Sequence, residues 1–243
     1  MKITPLLLLL FSAASLETLK AQSETINWGS ALFPGGNLID SNGDAITLGD
    51  GSFTDGGFTF ELGTFDTASG FTGPTAGNTS DWVTNWRAFD AIVSGDGDAN
   101  DFVRSNGTFA AQDTLTSDRH SLSVDAAVDP AYEFAVDAQA YVFVRNSDAT
   151  EAGSEWLLYT NPAWEFPFVA AESHSPNNLT WEVEDATQAV WGGINGGTTT
   201  GGGVNNFGDP NFLIQTFTFV PEPSSAGLLL LGALSLLRRG RRS

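Results

Sequence analysis

The 243-residue chain has no cysteine, one methionine and two histidines, and residues 22–220 contain no lysine. Each shortage excludes something. Without cysteine there is no disulfide, no thiol nucleophile and no thiolate metal site, so the folded part must be held by core burial alone. With only His120 and His174, both in polar surroundings, zinc sets of the HExxH kind are missing, as is the GxSxG turn that presents a serine nucleophile. Both histidines are expected at the surface. The lack of lysine removes the P-loop signature GxxxxGK[ST] together with the usual phosphate partner. Long apolar runs are also missing from the middle of the chain.

Acidic side chains are abundant instead. Residues 22–220 hold 27 acidic residues against Arg87, Arg104, Arg119 and Arg145, a balance of −23. Such a surface repels nucleic acid and anionic lipid headgroups. Solubility is the plain reading of this charge, and retention of divalent cations is the sharper one.

The ends differ in composition from the middle. Lys2, the apolar run Leu6–Phe11 and the small residues Ser12, Ala13 and Ala14 have the layout of a secretory signal peptide. Cleavage is expected after Ala21, with Ala14 as the alternative. At the other end stand Pro221-Glu222-Pro223, then 14 uncharged residues from Ser224 to Leu237, then Arg238, Arg239, Arg241 and Arg242. The apolar run is shorter than the roughly 18 to 20 residues a membrane-crossing helix needs, so it spans only with thinning or with its flanks. The arginines hold that end in the cytoplasm while the rest faces out. A short apolar tail after a small-residue site is also the logic of a removable anchor. The two prolines keep the backbone extended around Glu222, which suits a protease groove.

Triplet, apolar run and arginine cluster together resemble the PEP-CTERM sorting signal, also called the ice-binding protein C-terminal domain. The resemblance covers about a tenth of the chain. It implies an exported bacterial protein processed by a membrane protease, the exosortase, with transient inner-membrane association and then delivery to the cell surface or extracellular matrix. Association with exopolysaccharide or biofilm is a further implication. The stretch from Phe58 to Trp86, FTFELGTF followed by NTSDWVTNW, resembles ectodomains that recur ahead of this tail, which implies a mostly β surface protein and brings no ligand residues with it. The expected organisation is a signal peptide at 1–21, one β-rich secreted domain at 22–219 and a sorting signal at 220–243.

Within that domain the pattern is one of strands and turns. Phe58, Phe60 and Leu62 alternate with Thr59 and Glu61; Leu122, Val124 and Ala126 with Ser121, Ser123 and Asp125; Trp181 and Val183 with Glu182 and Glu184. Period two predicts one buried and one wet face for each. Tyr141–Val144, Trp156–Tyr159 and Phe212–Phe219 read as more fully buried strands. Ser41–Asp44, Gly49–Gly51 and Asp55–Gly57 read as turns. The fold class is therefore all-β, a β-sandwich or jelly-roll-like ectodomain with one short helix at Asn78–Asp90, where Trp82, Trp86 and Phe89 share helical spacing. Gly192–Gly208, with eight glycines in 17 residues, reads as a flexible loop.

Binding chemistry is sparse. Asp96-Gly97-Asp98-Ala99-Asn100-Asp101 places oxygen ligands at alternate positions, which suits Ca²⁺, but Asp101 stands where an EF-hand loop needs Gly and Gly107 where it needs Glu. An acidic surface turn is the reading adopted, with calcium as the alternative, and Asp40, Asp44 and Asp50 are weaker candidates. No cofactor and no catalytic residue is assigned, and the chain is read as non-enzymatic. Two alternatives stay open. One is a carbohydrate-binding module in which exposed members of Trp28, Trp82, Trp86, Trp156, Trp164, Trp181 and Trp191 stack on sugars. The other is a glycan-active enzyme using a carboxylate pair such as Glu182 and Glu184.

Overall fold

The computed structural model describes residues 23–30, 37–94, 101–103, 108–169, 178–194 and 213–219. The strands in chain order are β1 Ser23–Gly29, β2 Asn37–Ile39, β3 Thr59–Phe65, β4 Trp86–Ile92, β5 Phe102–Val103, β6 Phe109–Thr116, β7 Tyr141–Arg145, β8 Glu155–Thr160, β9 Asn178–Glu182, β10 Gln188–Trp191, β11 Gly193–Ile194, β12 Leu213–Gln215 and β13 Phe217–Thr218. The chain is mostly β with one short helix, α1, at Trp82–Asn85. Among the described residues no helix is long and apolar enough to cross a membrane.

Three sheets form. One runs β5-β6-β1-β9, with β6 antiparallel and β9 parallel to the central β1. The largest runs β10-β8-β7-β3-β4, with β13 also paired to β8. A small third sheet runs β11-β12-β2.

The main core lies where the first two sheets meet. Ile26, Trp28, Phe109, Ala111 and Leu115 from the four-stranded sheet share a cluster with Phe60, Leu62, Val142, Val144, Leu157 and Tyr159 from the larger one. A second cluster covers the opposite face of the larger sheet, where Trp86, Phe143, Trp156 and Leu158 meet Phe65, Trp82 and Phe219. Trp82 stacks on Trp156 with ring centroids 5.9 Å apart. The larger sheet is thus buried on both sides.

That double burial corrects the expected wet face of β3. Thr59 and Glu61 are as buried as Phe60 and Leu62. Glu61 is accommodated because Arg145 Nη2 donates to its carboxylate at 2.9 and 3.1 Å and Trp86 Nε1 at 2.6 Å. A buried carboxylate costs several kcal/mol unless it is paired and hydrogen-bonded, and here it is both.

The helix is shorter than its aromatic spacing predicts. A 3₁₀ turn at Thr79–Asp81 leads into α1, and the chain turns extended at Trp86. Strand pairing of Trp86 with Phe65 wins over helical periodicity, since β3 offers the backbone of β4 a hydrogen-bonded ladder along one side. Trp86 then joins the second cluster and Phe89 the first, on opposite faces of the sheet.

Residues 121–126 depart further from expectation. Only Ser121 makes an isolated bridge, to Leu115, and the burial is inverted: Ser121 and Asp125 are buried whereas Leu122 is 59% and Val124 84% exposed. Hydrogen bonds explain the inversion. Ser121 Oγ lies within hydrogen-bonding distance of Phe89 O and of Asp113 and has one proton to share between them, and Ser123 N donates to Asp113 Oδ2 at 2.9 Å. Of the glycine-rich stretch, Gly193 and Ile194 form β11, and residues 195–208 lie outside the described part.

Candidate functional site

A buried group of aspartates between the two main sheets begins with an irregularity in β4. Leu62 pairs with Asp90 and Gly63 with Ala88, so Phe89 is an extra residue, a β-bulge. In an uninterrupted strand Asp90 would share the side of Trp86 and Ala88. The bulge turns it the other way, toward the four-stranded sheet. Gly63 makes this possible: a Cβ there would sit 2.2 Å from Arg87 O, so only glycine lets the two backbones approach.

Asp90 is 1% exposed. Trp28 Nε1, from β1 of the facing sheet, donates to its Oδ2 at 2.7 Å, and Ala91 N donates to its Oδ1 at 3.1 Å. Ala91 N also reaches Asp125 Oδ2 at 3.3 Å, bringing a second buried carboxylate alongside. Asp101 completes a trio whose carboxylate oxygens can lie within 4.8 Å of one another. Burial pushes the Asp90 carboxyl well above the usual carboxylate range; the Trp28 hydrogen bond opposes this, and the charges of Asp101, Asp113 and Asp125 add to it. Asp113 is raised as well, first by burial, against the hydrogen bonds it accepts from Ser121, Thr114 and Ser123.

Two species relieve such crowding: a proton held on Asp90, or a divalent cation shared by the carboxylates. Of the Asp96–Asp101 stretch, Asp101 belongs to this trio and residues 96–100 lie outside the described part. Sequence reasoning missed Asp90 and Asp125. Asp90 carried a signal, a lone acid inside the apolar strand WRAFDAI, while Asp125 was hidden by an alternation that pointed it outward.

The remaining candidates fall elsewhere. Asp40 accepts from Asn42 N and Asp44 N at 2.8 and 2.9 Å, and Asp50 accepts from Ser52 N, so both organise exposed turns. His120 is half-buried, its Nδ1 3.0 Å from Tyr132 O, and His174 lies outside the described residues. Glu182 and Glu184 do not share a strand face: β9 ends at Glu182, and Glu184 sits buried in the 3₁₀ turn Val183–Asp185. Pro221, Glu222, Pro223, Arg238, Arg239, Arg241 and Arg242 also lie outside the described residues.

The tryptophans form no exposed platform. Six of the seven are buried, and half-buried Trp191 stacks on Phe219 at 4.4 Å. Trp164 and Trp181 stack on each other at 6.3 Å inside the core. The solvent side of β1, β6 and β9 instead carries an open cleft of about 470 Å³ lined by Asn27, Gly29, Gln112, Thr180 and Glu182. Comparison with protein families, with characterised proteins and with solved structures gives no match to this chain.

Proposed function

We propose that this chain is an exported, non-enzymatic β-sandwich protein of the cell surface or extracellular matrix, sorted by an exosortase through Pro221-Glu222-Pro223. The observation that carries the reading is the order of three features at one end: the Pro-Glu-Pro triplet, an uncharged 14-residue run and four arginines. The N-terminal Lys2 and Leu6–Phe11 pattern supports export. A cysteine-free domain with two apolar clusters supports a fold that holds itself together without oxidative cross-links. In this reading the acidic surface keeps the protein soluble and free of nucleic acid, and the protein associates with exopolysaccharide.

The test is the double substitution Pro221→Ala with Glu222→Ala, expressed in the native host. The expected result is a folded ectodomain that keeps its tail. A mature mass shortened as in the parent chain contradicts the sorting role.

A further inference from the structure

We propose that the solvent face of the sheet β5-β6-β1-β9 binds an uncharged polysaccharide chain, with Asn27, Gln112 and Thr180 as its central hydrogen-bonding row. The inference rests on the matrix reading above and gives it a location that needs no exposed tryptophan, since Trp28 and Trp181, which also line the cleft, are buried.

Register assembles the row. Asn27 of β1 pairs with Gln112 of β6 on one side and with Thr180 of β9 on the other, so the three side chains stand abreast on one face. Thr25 repeats the arrangement two residues away, between Thr114 and Asn178. In the other direction Gly29 lies between Ala110 and Glu182, and these two small residues lower the floor of the cleft. Gly29 has a φ of +134°, and a Cβ on it would meet Phe109 O at 2.4 Å, so that floor cannot be filled by substitution without moving β6.

The chemistry of the face differs from that of the rest of the chain. Against a balance of −23 over residues 22–220, these three rows carry amides, hydroxyls and one carboxylate, Glu182. Amide and hydroxyl groups each donate and accept, as the vicinal hydroxyls of a sugar do, whereas a protein or nucleic-acid partner of an acidic protein calls for cationic or charged contacts. Exposed Leu122 and Val124 run beside β6, with Leu122 N donating to Thr114 O at 3.1 Å, and offer aliphatic surface to the C–H side of a sugar ring. A second copy of this chain is the competing occupant, and the repulsion of two strongly negative bodies opposes it. Anionic polymers are disfavoured for the same reason. A face that offers amides and hydroxyls along β6, β1 and β9 gives weak binding per sugar, which suits a protein held in a polymer network by many contacts.

The test is native affinity electrophoresis of the full-length protein in mild detergent, with dextran, hydroxyethylcellulose or galactomannan in the gel and alginate as the anionic comparison. The expected result is retardation by at least one neutral polymer and not by alginate. The triple variant N27A/Q112A/T180A should weaken that retardation at least roughly tenfold, as lost hydrogen bonds of about 0.5 to 1.5 kcal/mol each imply. Should the triple variant unfold, Thr180→Ala alone, at an exposed position, decides, with a loss of roughly twofold or more expected from one hydrogen bond. No retardation by any neutral polymer, equal retardation by alginate, or an undiminished effect in the variants overturns the proposal, as does a face-dependent dimer in sedimentation. Intact mass of the same samples reads tail processing independently. Processing without binding overturns the face alone, and binding without processing overturns the sorting reading alone.

Discussion

Trp28 Nε1 donates to Asp90 Oδ2 at 2.7 Å across the junction of the two main sheets, in a position that is 2% exposed on one side and 1% on the other. The bond joins the centre of the four-stranded sheet to the bulged edge strand of the larger one. Trp28→Phe keeps most of the apolar volume but removes the donor, leaving a buried carboxyl without it. A loss of about 2 to 3 kcal/mol is expected from urea denaturation at pH 7.

The same aspartate makes stability depend on pH. Its folded-state pKa is raised above the ordinary value of 3.8, so the folded chain keeps a proton that the unfolded chain releases. Its contribution is therefore complete below that value and is lost as pH rises through the folded-state pKa. Asp90→Asn should match the parent chain at the acid end and gain on it as pH rises. Urea midpoints measured from pH 4 to pH 8 check this, and parallel curves for the two proteins would contradict it.

Glu61 and Arg145 form the other buried polar centre, with Arg145 also paired to Asp148 and lying over the Phe143 ring at 4.9 Å. Removing one partner, as in Arg145→Met, is expected to cost about 3 to 5 kcal/mol because Glu61 is left buried without its cationic partner. Adding Glu61→Leu to it should recover most of that loss. A double-mutant cycle in guanidinium chloride reads both values.

Much of this architecture was legible in sequence. The runs Tyr141–Val144 and Trp156–Tyr159 are strands β7 and β8, and the Asp/Gly clusters at 41–44 and 49–57 connect elements as turns. Two things were not legible. Period-two reasoning assumes one wet face, and it fails for Glu61 because the larger sheet carries a core on both sides; it fails for Ser121 and Asp125 because their hydroxyl and carboxyl groups are consumed by Phe89, Asp113 and Ala91. The aspartate group was hidden for a different reason. The bulged residue Phe89 turns Asp90 toward Asp101 and Asp125, which come from other parts of the chain, and no local spacing announces the meeting.

Gly63 tests that bulge directly. Gly63→Ala places a Cβ 2.2 Å from Arg87 O, so β4 must shift, and a loss of roughly 2 to 4 kcal/mol is expected by denaturant titration. Restoring regular pairing would also turn Asp90 away from Trp28, so the variant should lose the pH-dependent gap between its stability and that of its Asp90→Asn derivative.

Tyr159 gives a prediction of the opposite sign. Its ring is fully buried against Trp164, yet its hydroxyl is buried without a hydrogen-bond partner among the described residues. Tyr159→Phe removes that unmet group and should be neutral or stabilising by up to about 1 kcal/mol. A clear loss in thermal unfolding would show that the hydroxyl is satisfied in solution.

Intact mass spectrometry of the protein recovered from the envelope and medium of its native host tests the central claim most directly. A chain that begins near Gln22 and ends near Pro221 is the predicted result, with the apolar run and Arg238–Arg242 removed. A mass that extends to Ser243 in every fraction would contradict it and leave the tail a permanent anchor.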